Sequence, residues 1–115
     1  MRNLLSLVAA VALIGCSGSG YSSGVTNPPD PVLTTSVSLR HTAFSPRAIK
    51  VSPGATVQFT NNDGIAHNIK FSSTAITGTA DFATGTRSVV MPTVAGTYVY
   101  HCTLHSGMTG SVVVE

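Results

Sequence analysis

Near the C-terminal end a cysteine, a histidine and a methionine recur at equal intervals. In the segment YVYHCTLHSGMTG (residues 98–110), Cys102, His105 and Met108 are spaced C-x₂-H-x₂-M. Given Cys102, the composition of the chain makes both later residues a roughly one-in-a-thousand coincidence. A further histidine, His67, lies upstream in Asn62-Asp63-Gly64-Ile65-Ala66-His67-Asn68. One thiolate, two imidazoles and one thioether make the donor set of a mononuclear copper site, with the thioether as a weak axial ligand. Thiolate and thioether are soft and favour Cu(I), whereas imidazole serves both oxidation states. A set that satisfies neither ion fully lets the metal change valence with little rearrangement.

The elements that must hold these donors read as strands. From Val32 onward there is no sustained helical period. Short β-branched and aromatic runs alternate with Gly, Pro, Asn and Asp. Strands are expected near residues 36–41, 48–51, 56–61, 67–71, 86–91, 97–102 and 111–114. Val57 and Phe59 alternate with polar neighbours, as a half-buried strand requires, whereas Val89-Val90-Met91 reads as a strand covered on both faces. Turns fall at Ser52-Pro53-Gly54, Asn61-Asn62-Asp63-Gly64 and Ala95-Gly96. Residues 72–86 read as a long loop with one weak strand. Seven short strands argue for an all-β, antiparallel β-sandwich over residues 32–115. Cys102 then ends a strand, a turn brings His105 back, and Gly107 lets the loop tighten before Met108 enters the last strand.

The region from Thr42 to Glu115 resembles the cupredoxins, the small blue-copper fold. The matching residues are Phe44-x-Pro46, then Ile49-x-Val51-x-x-Gly54-x-x-Val57-x-Phe59-x-Asn61, then His67-Asn68, then Gly96-Thr97-Tyr98-x-Tyr100-x-Cys102-x-x-His105-x-x-Met108. The two-residue gaps of the last loop are most similar to amicyanin, and plastocyanin has a longer gap before Met. The resemblance implies a Greek-key sandwich with copper at one end, held by His67, Cys102, His105 and Met108. It implies that Asn68 ties the two ligand loops together near the thiolate. It also implies that His105 sits at the surface within an apolar rim and serves as the electron exit. A proline often found inside the ligand loop is replaced here by Thr103-Leu104 and Ser106-Gly107. No acidic run matches the docking patch of plant plastocyanins. A small redox protein, donor or acceptor, is therefore expected to meet the apolar face of Gly64, Ile65, Ala66, Leu104 and Gly107.

The chain begins with MRNLLSLVAAVALIGC, in which Leu4–Ile14 is apolar except for Ser6. Eleven residues are too short for a span of about 20 and fit the apolar core of an export signal. Leu13-Ile14-Gly15-Cys16 resembles a bacterial lipobox, so residues 1–15 are expected to be removed and Cys16 lipidated. Residues 16–31 are rich in Gly and Ser and then Pro, the composition of a tether. Anchoring would rest on acyl insertion, at about 0.8 kcal/mol per buried CH₂. With Cys16 so used, Cys102 has no disulfide partner in an exported, oxidising setting.

Arg40, Arg47, Lys50, Lys70 and Arg87 then face Asp30, Asp63, Asp81 and Glu115. So even a balance excludes a nucleic-acid footprint. The expected protein is a monomeric one-electron carrier, lipid-anchored in the bacterial cell envelope on the periplasmic or outer side. A protein that stores, delivers or senses copper would use the same four ligands. An enzyme is not expected, because only His41 and His101 remain for a second copper, and both read as structural or solvent-facing.

Overall fold

A computed structural model describes residues 29–115. The expected export signal, Cys16 and most of the tether lie outside them. Nine strands form: β1 (Val32–Leu33), β2 (Ser36–Arg40), β3 (Ala43–Ser45), β4 (Ala48–Val51), β5 (Thr56–Asn61), β6 (Lys70–Phe71), β7 (Gly85–Val90), β8 (Gly96–His101) and β9 (Thr109–Val114). They pair into a five-stranded sheet, β1-β4-β9-β8-β6, and a four-stranded sheet, β3-β2-β5-β7. The all-β sandwich is present, but its sheets are mixed rather than wholly antiparallel. β1 with β4, β2 with β5 and β4 with β9 run parallel. The chain repeatedly leaves one sheet for the other, so strands that meet as neighbours often travel the same way.

Burial follows the period of two. In β5 Val57, Phe59 and Asn61 turn inward, and in β9 Gly110, Val112 and Val114 do so. The same rule corrects the expectation for residues 89–91. Val89 and Met91 are buried, but Val90 is 66% exposed, because alternation turns it to the outer face of its sheet, away from the core. The expected strand over residues 67–71 shortens to β6, while His67 forms a single bridge to Phe82. β1 and β3 were not anticipated, being two and three residues long with no alternation to reveal them.

The centre of the sandwich is aromatic. Tyr100 packs edge-on to Phe44 and Phe59, with ring centroids 4.7 and 5.3 Å apart, and Phe71 adds a tilted contact at 5.2 Å. Tyr100 lies one β-strand period before Cys102, so the strand that ends at the ligand loop is anchored in this cluster. Gly110, paired with Tyr100 across β8 and β9, admits the ring: a Cβ there would overlap the phenol carbons and oxygen. Gly110→Ala is expected to lower the stability of the metal-free domain by about 1–3 kcal/mol through overpacking. Urea unfolding would measure this, and an unchanged midpoint would contradict the packing described.

Candidate metal centre

Two loops at one end of the sandwich carry the candidate ligands. The first runs from the end of β5 to His67. Asn61 closes β5 with its side chain buried, and its amide donates to the carbonyls of Ile65 and Phe82, both at 2.8 Å. Its Oδ1 accepts from the Asp63 amide at 2.9 Å, which shapes the turn that follows. His67 and Phe82 then exchange backbone hydrogen bonds of 3.0 and 2.9 Å. The Arg87 guanidinium lies 4.7 Å over the Phe82 ring and covers this bridge from outside. The backbone of His67 is thus fixed before any ligand contact is considered.

The second loop is short because β8 and β9 are adjacent. The Cys102 amide donates to the Met108 carbonyl at 2.9 Å, and the Met108 amide donates to the His105 carbonyl at 3.3 Å. These bonds close a ring of seven residues. Gly107 takes a positive φ of 78° within it, where a side chain would be strained. The expected C-x₂-H-x₂-M loop therefore folds back on itself, with Met108 buried and Cys102, His105 and Met108 lining one surface cavity.

The donor atoms converge. Cys102 Sγ lies 3.8 Å from His67 Nδ1 and 3.6 Å from His105 Nδ1, and all three atoms fall within 4.8 Å of one another. The two imidazole rings sit 4.6 Å apart, centroid to centroid. His67 is fully buried and Cys102 nearly so, whereas His105 is half-buried among exposed Gly64, Ile65, Ala66, Leu104 and Gly107. His41 is exposed in the β2–β3 turn, and His101 sits half-buried in β8 with Lys70 and Thr109 as strand partners. Neither joins the cluster.

Outer partners hold the inner ones. Asn68 Nδ2 donates to Thr103 Oγ1 at 2.7 Å and to Asp81 Oδ1 at 2.8 Å, while its Oδ1 accepts from the Thr103 amide at 2.9 Å. Asn68 thereby joins the residue after His67 to the residue after Cys102. The sequence marks Asp63 only as a turn former. Its carboxylate in fact accepts from His67 Nε2 at 2.8 Å and from the amides of His41 and Thr42 at 2.6 and 2.8 Å. The Thr42 amide first, then the other two donors, hold its carboxyl below the usual carboxylate range against the opposing effect of burial. The one trace of this in the sequence is a carboxylate four residues before the histidine, inside a turn.

The chemistry of the set fits copper. One buried thiol and two imidazole nitrogens face a common point with a buried thioether beside them, and the carboxylates nearby are engaged elsewhere. The family of copper binding proteins described as plastocyanin/azurin matches residues 32–115. Chloroplast plastocyanin of Chlamydomonas reinhardtii is 37% identical over 84 residues, covering 63% of this chain and 58% of that protein. Amicyanin-alpha of Methylorubrum extorquens is 32% identical over 90 residues, covering 74% of this chain and 75% of that one. The solved structure of an amicyanin mutant in the Cu(I) state superposes with a TM-score of 0.63 at 28% identity, over 70% of this chain and 80% of that one. The chain spans a little over half the length of the chloroplast plastocyanins of Chlamydomonas reinhardtii, Oryza sativa and Hordeum vulgare. With the donor set and the match over the whole sandwich in agreement, the chain belongs to the plastocyanin/azurin family of copper binding proteins, and copper is its cofactor.

Proposed function

We propose that this protein is a one-electron carrier with a single type 1 copper, exported and held at the membrane through a lipid on Cys16. The observation that carries the proposal is the asymmetry of the ligand cluster. His67, Cys102 and Met108 are buried, and His105 alone reaches an apolar, exposed rim. Bound copper supplies a change of one electron between Cu(I) and Cu(II).

The residues do the rest. Cys102, His67 and His105 bind as the strong ligands and Met108 as the weak axial one. Burial on three sides excludes water, and the hydrogen-bonded loops fix the donors so that neither oxidation state reshapes them. Ile65 and Leu104, 46% and 47% exposed beside His105, let a partner protein approach the imidazole edge without stripping charged groups of water. Residues 17–31 serve as the tether that lets this face reach a donor or acceptor from an anchored position.

Cu(II) added to the purified domain is expected to produce an intense visible thiolate-to-copper charge-transfer band. Tightly bound but colourless Cu(II) would contradict the proposal. Cys102→Ser should abolish the band, while Met108→Leu should keep it and shift the reduction potential. Equal loss of copper in both variants would overturn the division of roles. Asn68→Ala, which unties the two loops, should weaken copper retention by roughly 10–100-fold in a chelator competition; unchanged retention would show that the tie is dispensable. In a bacterial host, Cys16→Ser should move the protein from the membrane fraction to the soluble one, and continued sedimentation with membranes would exclude the lipid anchor.

A further inference from the structure

The two-residue turn between β2 and β3 is made by His41 and Thr42, both at φ 53°. This is the left-handed pair of a type I′ hairpin, where Asn-Gly is the usual choice and other residues cost about 1–2 kcal/mol each. The turn survives with unfavourable residues, and its two amides point at one carboxylate. His41 N–H donates to Asp63 Oδ1 and Thr42 N–H to Asp63 Oδ2. Oδ2 also accepts from His67 Nε2. Three donors therefore meet two oxygens. Only an ionised carboxylate offers two acceptor atoms and no donor; an asparagine would set its NH₂ against at least one N–H. The Asp63 side chain is only 12% exposed, so little water competes.

The consequence reaches the far side of the imidazole. In the neutral ring, an acceptor on Nε2 requires the proton there and leaves the Nδ1 lone pair free, and Nδ1 is the atom that faces Cys102 Sγ. We propose that Asp63 is a positioning residue that selects the Nε2–H tautomer of His67 and biases the site toward Cu(II), with the β2–β3 turn as the clamp that holds its carboxylate in place. This rests on His67 being a copper ligand. A negative charge on the outer nitrogen makes the inner nitrogen a better donor, and the more highly charged ion gains more from it. A hairpin turn is thereby coupled to the electronics of the metal through one side chain.

The turn role and the tautomer role separate by design. In a His41→Asn/Thr42→Gly background the hairpin forms without help, so Asp63→Asn or Asp63→Ala then tests only the contact with His67. The ¹⁵N–¹H correlations of the metal-free domain, at a pH where the ring is neutral, should show Nε2–H alone at His67 with Asp63 present. Asp63→Ala should give a mixture of tautomers. In the copper-loaded domain, Asp63→Asn should lower the ratio of Cu(II) to Cu(I) affinity about tenfold, which raises a one-electron potential by about 59 mV. Asp63→Glu, if its longer carboxylate reaches Nε2, should restore the single tautomer and the potential together. An Nδ1–H tautomer in the parent domain, or a potential and tautomer indifferent to Asp63→Asn in that background, overturns the proposal. A parent domain with no thiolate band on adding Cu(II) would instead contradict the copper-carrier function, and the metal-free tautomer measurement would still decide the role of Asp63.

Discussion

A thiol and two imidazole nitrogens crowded into a space under 5 Å across are expensive to hold together without a metal, and the architecture of this domain is arranged around that constraint. Each donor sits in a short loop whose backbone is fixed by bonds that do not use the donor side chain. Asn61 and the Phe82 bridge fix His67. The Cys102 amide and Met108 carbonyl close the second loop, and Asn68 pins the two loops to each other. The cluster thus inherits its geometry from hydrogen bonds anchored in β5, β8 and β9. Donor side chains carried on such a frame are positioned by the protein and not by an ion.

The same frame explains the uneven burial. His67 comes from a loop bridged to Phe82 and is fully buried. His105 comes from the crest of a seven-residue ring and is only half-buried among the described residues. Ile65 and Leu104, one in each loop, are both exposed.

Much of this was legible in the residues because the relevant signals are local. The spacing of Cys102, His105 and Met108 places them in one turn, and the bounds of β4 and β5 match the sequence reading residue for residue, with alternation visible in β5. What escaped depends on partners remote in sequence. The mixed sheet order is set by which strands meet across the sandwich, and nothing within a single strand announces it. The exposure of Val90 follows from which face of β7 the fold leaves uncovered, and the apolar run of residues 89–91 does not reveal that. Asp63 looks like an ordinary turn aspartate, since its amide partners lie 21 and 22 residues away and become visible only when β2 lies against β5. Short strands such as β1 carry too few residues for any period to show.

X-ray absorption at the copper edge of the metal-loaded domain probes the donor set itself, independently of colour or potential. The geometry predicts one short sulfur scatterer and two imidazole nitrogens around the ion, nearly unchanged between the oxidised and reduced samples. A shell of nitrogen and oxygen alone, or a large rearrangement on reduction, would contradict it.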